Sequence, residues 1–263
     1  MSFTNKVVIV TGASAGIGAA TAKLFAKEGV KLSLVGRNVQ KLKETEKECK
    51  ALSGLEPLSI VADLSNEDEA RGVISKAIER FGKLDVLVNN AGVSGLTSIL
   101  DPSYVAEFDR IQTTNIRAVV VLTHAALPHL IKTKGNIVNV SSIASLTPAA
   151  TLSPYCTSKT ALNQFSRCIA LEVGPKGVRV NIVAPGPVNT EIHKSTGMTD
   201  EQIAESGNHM PLGFLTESEE IGDMILYLAS EKAKSITGSV HVVDVGAALN
   251  GMNTTLNYLR GYY

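Results

Sequence analysis

The 263-residue sequence predicts one α/β domain with a doubly wound sheet of seven parallel strands and helices on both faces. Short β-branched runs alternate with longer segments of helical period, which is the order of a parallel sheet with crossover helices. Most of the runs are apolar throughout, as expected where both faces of a strand are buried. No low-complexity linker, charge block or fixed-period repeat divides the sequence, so we expect residues 1–263 to form a single domain.

The predicted elements follow one another in a regular order along the chain. The strands are the short runs rich in Val, Ile and Leu, at residues 6–11, 31–35, 58–62, 84–89, 136–140, 178–183 and 240–243. The clearest helices are the amphipathic segments at residues 17–27, 41–52, 67–81 and 158–173. The one long stretch without clear periodicity, residues 186–216, is expected to cover a ligand.

The composition excludes several classes of function. Lys plus Arg number 25 and Asp plus Glu number 25, so no net charge attracts the protein to nucleic acid or anionic lipid. Three scattered cysteines form neither a disulfide framework nor a metal site, and no histidine pair with ligand spacing has a third partner. The longest apolar zone, residues 118–131, is interrupted and too short to span a bilayer, and no signal peptide is visible. We therefore expect a cytoplasmic protein without a metal.

A glycine-rich turn follows the first predicted strand. Gly12 ends the strand, and Gly16 and Gly18 let the main chain approach a phosphate group and let the next helix pack closely. The free N–H groups at the start of that helix can then face the anion, with Ser14 and Ile17 in the same turn. The pattern indicates a Rossmann-type dinucleotide site, although a glycine turn without any ligand is the simpler alternative.

The second predicted strand ends at Gly36-Arg37-Asn38, where an enzyme specific for NAD would place an acidic residue on the ribose hydroxyls. The acid is missing, and a carboxylate there would repel a 2′-phosphate. The planar guanidinium of Arg37 can instead pair with that phosphate. The sequence therefore favours NADP over NAD, unless Arg37 is only a solvated charge near a helix start.

Tyr155 and Lys159 are four positions apart in a segment of helical pattern, so their side chains lie on one face, one turn apart. A nearby ammonium favours the phenolate and lowers the pKa of a tyrosine, which fits it for proton exchange with a ketone or alcohol oxygen. Alone, the spacing is common by chance. Here Ser141-Ser142 and Asn89-Asn90-Ala91-Gly92 follow two strands at the sheet edge where substrates bind.

Taken together, these residues make the chain resemble the short-chain dehydrogenase/reductase family, in its single-domain branch. The resemblance runs from Lys6 to about Asp244. The matching positions are Thr11, Gly12, Gly16, Gly18, Asp63, Leu64, Asn89, Asn90, Ala91, Gly92, Asn115, Ser142, Tyr155, Lys159, Pro185, Gly186 and Thr190.

The resemblance implies a role for each matching residue. Tyr155 is expected to be the catalytic acid/base, with Ser142 on the substrate oxygen. Lys159 would bind the nicotinamide ribose and lower the tyrosine pKa, and Asn115 would hold a water in a proton relay. The remaining cofactor contacts are expected to come from Asp63, Leu64, Asn89, Ala91, Gly92 and the segment Pro185, Gly186 and Thr190. A homotetramer is also implied.

We therefore expect an NADP(H)-dependent oxidoreductase that interconverts a ketone and a secondary alcohol. Apolar residues in the covering segment, with Met198, Met210, Leu212 and Phe214 among them, favour a lipophilic carbonyl such as a keto-steroid (for example a 3-keto ecdysteroid) or a xenobiotic ketone. A 3-oxoacyl-type reductase and a catalytically silent NADP-binding sensor or scaffold are alternatives. A methyltransferase is a third, which the tyrosine and lysine pair disfavours.

Two features depart from the family pattern. Val245 stands where family members commonly carry a glycine, and we expect it to affect packing near the sheet edge and not the chemistry. Residues 247–263 form a tail rich in apolar and aromatic side chains, which favours docking on a surface.

Overall fold

The computed structural model describes residues 3–188 and 199–250. Seven strands form one sheet in the order β3-β2-β1-β4-β5-β6-β7, and every neighbouring pair is parallel. The strands, in chain order from β1, are Val7–Thr11, Lys31–Gly36, Leu58–Val61, Val86–Asn89, Asn136–Val140, Arg179–Pro185 and Val240–Val243. The predicted doubly wound fold is confirmed.

The described residues contain nine α-helices and one π-helical segment, and the sheet carries helices on both faces. In chain order from α1 the helices are Gly16–Lys27, Val39–Ser53, Glu67–Phe81, Tyr104–Gln112, Ala118–Thr133, Ser153–Val173, Asp200–Gly207, Ser218–Ala229 and Ala247–Asn250. The π-helical segment, Thr113–Arg117, joins α4 to α5 without a break. Within the described ranges no helix combines the length and apolarity that a bilayer span requires.

Two helices differ from the sequence-based expectation. Helix α6 begins at Ser153 and not at residue 158, because Pro154 fits the first turn, where its missing N–H leaves no hydrogen bond unmade. Tyr155 therefore lies in the first turn of α6. Helix α7 lies inside the stretch that lacks clear periodicity, and it begins with a capping box between Thr199 and Gln202.

The sheet is covered by two separate apolar layers. Val8 and Val10 of β1 face a cluster that includes Phe25 of α1 and Ile225 of α8. Val7 and Ile9 of the same strand face the opposite cluster, which includes residues of α3 and α5. Alternate side chains thus enter two different cores, which explains why β1 is apolar over nearly its whole length.

The strand order reverses between β1 and β4, and the ends of these two strands are joined by Thr11. Its hydroxyl donates to the Val88 carbonyl (3.2 Å) and accepts from the backbone N–H groups of Asn90 (2.9 Å) and Ala91 (3.1 Å). The Asn90 side chain donates to the Thr11 carbonyl (2.8 Å). Ligands of such sheets bind outside the carboxyl ends of the strands at this reversal.

Gly18, in the first turn of helix α1, lies so close to Gly12 and Asn90 that no side chain fits there. A Cβ built there would overlap the carbonyl oxygen of Gly12 and lie 2.5 Å from the side-chain nitrogen of Asn90. We predict that Gly18→Ala lowers the free energy of unfolding by about 2 kcal/mol, because the backbone must shift to admit the methyl group. Urea denaturation measures the change.

Gly72→Ala is the matched control, since a Cβ at this position in helix α3 meets nothing within 4 Å. Alanine is a better helix former than glycine by roughly 0.5–1 kcal/mol, so this variant should gain stability. A Gly18→Ala protein as stable as the wild type would contradict the proposed packing.

Candidate active site

A cavity of about 610 Å³ lies at the carboxyl ends of β1 to β6. Most of the predicted site residues line it, namely Gly12, Ser14, Gly16, Ile17, Arg37, Asp63, Leu64, Ala91, Gly92, Ser142, Tyr155, Lys159, Pro185 and Gly186. Thr190 lies outside the described residues. The volume is within the range of roughly 300–1,000 Å³ that small-molecule and cofactor sites occupy.

The start of helix α1 forms an anion site at one end of the cavity. Gly12 (φ +67°) and Gly16 (φ +53°) adopt the left-handed conformation that turns the chain into the helix. Ala15 is the N-cap residue and has no side-chain group to cap the first turn, which contains no acidic residue. The N–H groups of that turn therefore suit a phosphate, and the site fits the pyrophosphate of a dinucleotide.

Gly18 contributes packing and does not line the cavity. Asn89, which the sequence assigns to the cofactor pocket, does not line the cavity either. Registered neighbours in parallel strands share a face, and the Asn89 side chain accordingly donates to Asn139 on β5 (2.8 Å) behind the site. Asn90, the next residue along the chain, lines the cavity instead.

The ends of β2 and β3 place opposite charges at the far end of the cavity. Arg37 is exposed and lines this end together with Asn38, whose side chain caps helix α2 by accepting from the Lys41 N–H (3.0 Å). Hydrogen bonds from Ser65, with a smaller contribution from the positive charge of Arg37, lower the pKa of Asp63. Asp63 is therefore held as a carboxylate by its own loop.

Ser142 and Tyr155 meet at the other end of the cavity. The Ala144 N–H donates to the Ser142 hydroxyl oxygen (3.1 Å), which directs the serine proton away from that turn. Burial raises the pKa of Tyr155 to about 12, although a hydrogen bond from Ser142 acts in the opposite direction. Tyr155 is thus a neutral phenol at ordinary pH, in a position to donate a proton into the cavity.

Lys159 lies one helical turn beyond Tyr155 and, unlike the half-buried tyrosine, is buried. Its ammonium donates to the Val140 carbonyl (2.9 Å) and lies 5.6 Å from the centre of the Tyr155 ring. Burial lowers the pKa of Lys159 from 10.5 to about 8, so the side chain is still mainly charged at pH 7.

The expected effect of Lys159 on the tyrosine pKa stays a prediction, because the influences resolved on Tyr155 come from other groups. Burial is the largest influence on Tyr155 and raises its pKa, and the group that lowers it is Ser142. The sequence pattern gave the spacing of the two side chains correctly. It could not indicate how strongly the surrounding core disfavours a phenolate.

Asn115 lies in the π-helical segment and holds the loop that follows β4. Its side-chain nitrogen donates to the Val93 carbonyl (2.8 Å) and to the Ser158 hydroxyl (3.0 Å), and its oxygen accepts from the Val93 N–H (2.8 Å). The Ser158 hydroxyl in turn donates to the Tyr155 carbonyl (2.7 Å). Asn115 therefore links this loop to the first turn of α6, and its part in a water relay stays a prediction.

A second link, which sequence reasoning missed, ties Ser142 to α6. The side-chain nitrogen of Asn163 donates to the Ser145 hydroxyl (2.8 Å), which donates to the Ser142 carbonyl (2.5 Å). Thr160 also donates from its hydroxyl to the Ser145 carbonyl (3.2 Å). No local pattern indicates the contacts of Asn163 and Thr160 with Ser145, because these partners are 15 or more positions apart in sequence.

The covering segment lines the cavity only in part. Its described residues Gly186–Val188 and Ser206 reach the cavity, and Val188 pairs with Thr216 so that the two ends of the segment meet. The expected apolar lining needs correction. Met210 is buried outside the cavity, whereas Leu212 and Phe214 are 64% and 47% exposed. Met198 lies outside the described residues.

Val245 also differs from expectation, because it packs beside the site and not merely at the sheet edge. It forms a buried cluster with Ile143, Met210 and Ala247, and two of these line the cavity. Of the tail, the structure describes Ala247–Asn250 as the short helix α9. The remaining residues of the tail, 251–263, lie outside the described part of the chain.

The chain is similar to known proteins over nearly its whole length. A family model described as enoyl-(acyl carrier protein) reductase matches residues 12–248. A glucose 1-dehydrogenase of Gluconobacter oxydans is 36% identical over 251 residues, covering 95% of this chain and 94% of the relative.

Two solved structures superpose closely on the chain. A short-chain dehydrogenase/reductase of unknown function from Caenorhabditis elegans, solved with cofactor, has a TM-score of 0.88 at 36% identity and covers 96% of this chain and 98% of its own. A 7α-hydroxysteroid dehydrogenase, complexed with NADH and 7-oxo glycochenodeoxycholic acid, has a TM-score of 0.87 at 30% identity and covers 93% of this chain and 95% of its own.

Replacing the buried Lys159 by an uncharged residue should increase the free energy of unfolding at neutral pH. Since the pKa of Lys159 is about 8 in the folded chain and 10.5 ordinarily, the unfolded chain binds more protons between these values, and stability rises with pH there. We expect Lys159→Met to raise the free energy of unfolding at pH 7 by about 1–2 kcal/mol, less than the full shift because the Val140 carbonyl loses its donor.

Urea denaturation at pH 7 and pH 9.5 measures this gain, which should shrink at the higher pH. Lys76→Met, at an exposed position of helix α3, is the control and should change stability little at either pH. A Lys159→Met protein that is less stable than the wild type at pH 7 would show that the ammonium stabilises the fold.

Proposed function

The chain belongs to the short-chain dehydrogenase/reductase family, and from this we propose that it is an NADP(H)-dependent oxidoreductase that interconverts a ketone and a secondary alcohol. The observation that carries the proposal is the half-buried Tyr155 phenol, hydrogen-bonded by Ser142 and open to a cavity of cofactor size. A hydride carrier needs a protein group to manage the accompanying proton, and this phenol is suited to that task.

The preference for NADP rests on the charge at the end of β2. Arg37 is exposed at the cavity, and Ser14 lies within contact distance of Gly36 beside it. A guanidinium and a hydroxyl suit a 2′-phosphate, and neither would repel it. Asp63 lies at the same end, but its carboxylate accepts from the N–H and hydroxyl of Ser65 and fits a contact with the adenine side.

When bound, the reduced nicotinamide would supply the hydride. The protein groups then have three separate tasks. The Ser142 hydroxyl, with its oxygen engaged by the Ala144 N–H, would turn its one proton from the Tyr155 oxygen to the substrate carbonyl oxygen and stabilise the charge that develops there. Tyr155 transfers its proton to that oxygen. Lys159 keeps a positive charge beneath the phenol while the phenolate forms.

At neutral pH Tyr155 is in the protonated form that reduction of a ketone requires, because burial raises its pKa. With a pKa of about 12, Tyr155 carries the proton that an alkoxide requires and is a poor base toward an alcohol. The reaction that the site supports best is therefore proton donation to a ketone.

The proposed substrate is a lipophilic carbonyl compound. Near Ser142 and Tyr155 the cavity is lined by apolar and small uncharged side chains, including Val93, Ser94, Ile143, Leu152 and Val188. Among the described lining residues the charged ones are Arg37, Asp63 and Lys159, which lie at the cofactor end or beneath the phenol. The bound 7-oxo bile acid of the similar hydroxysteroid dehydrogenase supports a keto-steroid class.

A 3-oxoacyl-type reductase is the second candidate, favoured by the acyl carrier protein in the description of the matching family model. A silent NADP-binding sensor lacks comparable support, since Ser142, Tyr155 and Lys159 stand together at the cavity. The homotetramer and the cytoplasmic location stay predictions.

Replacing the phenol tests the reaction directly. We expect Tyr155→Phe to lower kcat for ketone reduction by about 10²-fold or more, because the alkoxide loses its proton donor. NADPH binding, followed by fluorescence titration, should change little. Tyr227→Phe on helix α8 is the matched control and should retain full activity. A Tyr155→Phe enzyme with normal turnover would eliminate this mechanism.

The cofactor preference is tested at Arg37. We expect Arg37→Leu to raise the Kd for NADPH by about tenfold, the equivalent of one lost charge-assisted contact, and to leave the Kd for NADH nearly unchanged. Arg80→Gln, in helix α3, controls for a general loss of positive charge. Equal weakening of both cofactors by Arg37→Leu would assign the arginine to another role.

A further inference from the structure

We propose that Val245 determines the size of substrate that the cavity accepts, by fixing the wall formed by Ile143 and Ala247 beside Ser142. The inference rests on the proposed ketone reductase function. Ile143 and Ala247 line the cavity, and Val245 belongs to the same buried cluster without lining the cavity itself. It is therefore a positioning residue, which acts on the substrate through its neighbours.

The packing around Val245 is close. Ile143, Met210, Val245 and Ala247 form a cluster of their own and are exposed by 1%, 4%, 9% and 3%. Ile143 directly follows Ser142, so a displacement of this cluster reaches the residue that binds the substrate oxygen. Because buried groups pack at near-crystalline density, shortening Val245 leaves space into which the wall can retreat.

The backbone of Val245 is held in an unfavourable conformation. Its φ of +50° lies in the left-handed region, which a β-branched side chain rarely adopts. The turn is fixed on both sides by the Asp244 carboxylate, which accepts from the N–H groups of Gly246 (3.0 Å) and Ala248 (2.8 Å). Such strain persists only where the surroundings impose it, and it is concentrated at functional sites.

The same turn also holds the covering segment. The Leu212 N–H donates to the Val245 carbonyl (3.3 Å), and a Cβ on Gly246 would lie 2.9 Å from Pro211. On its other side the turn touches the end of β6, where a Cβ on Gly186 would lie 2.6 Å from Asp244. One short turn therefore contacts both arms of the segment that covers the cavity.

Two variants distinguish the effect of the Val245 side chain from the effect of its strained backbone. Val245→Ala removes most of the side chain but keeps a non-glycine residue at positive φ, whereas Val245→Gly removes both. Lys134→Gly is the matched control, because Lys134 has a similar φ of +49° at the end of helix α5 and does not line the cavity. It relieves comparable strain at a distance from the site.

The first measurement is steady-state reduction of a small acyclic ketone and a bulky polycyclic ketone with NADPH. We expect the ratio of kcat/KM for the bulky over the small ketone to rise about tenfold in both Val245 variants, mainly through a lower KM for the bulky one. Lys134→Gly should keep the ratio of the wild type. An unchanged ratio in both Val245 variants overturns the inference.

The second measurement is hydrogen exchange of the protein without added substrate or cofactor. Peptides that cover residues 206–215 should exchange faster in both Val245 variants and at the wild-type rate in Lys134→Gly. If the wild type reduces no ketone, the proposed function fails, and exchange alone decides whether Val245 fixes the wall. Unchanged exchange in both Val245 variants overturns that positioning role.

Discussion

The hydroxyl of Thr11 is the contact on which the site depends, because it joins two strands whose chains leave the sheet in different directions. Beyond β1 the chain turns into helix α1, and beyond β4 it enters the loop that carries Asn90, Ala91 and Gly92. The Thr11 hydroxyl donates to the Val88 carbonyl near the end of β4 and accepts from two N–H groups of that loop. The glycine turn after β1 and the loop after β4 are therefore held at a fixed distance, and the cavity lies beside both of them.

Much of the fold, and most of the predicted site residues that line the cavity, could be predicted from local sequence. Apolar runs such as residues 6–11 identify strands because both faces of a parallel sheet are buried, and the observed strand β1 lies within that run. Parallel strands also bring all their carboxyl ends to one edge, which brings Gly12, Ser142 and Tyr155 to one cavity although they are far apart in sequence.

What could not be predicted depends on contacts between distant segments. Two adjacent asparagines at the end of β4 look alike in sequence, but strand alternation sends Asn89 toward Asn139 and leaves Asn90 at the cavity. The pKa values were missed for a related reason. Burial acts on Tyr155 and Lys159 in opposite directions, since each is driven toward its neutral form, and the extent of burial is a property of the packed molecule.

The π-helical segment at Thr113–Arg117 has a consequence for the two helices that it joins. An α-helix turns by about 100° per residue, so the extra residue in this turn rotates α5 about its axis relative to α4 by a similar angle. Helix α4 packs on α6, while α5 packs on α3. The extra residue thus changes which side of the continuous helix faces the core after the π-helical segment. Without the extra residue, one regular helix could bury Leu122 in the core or place Asn115 at the loop that follows β4, but not both.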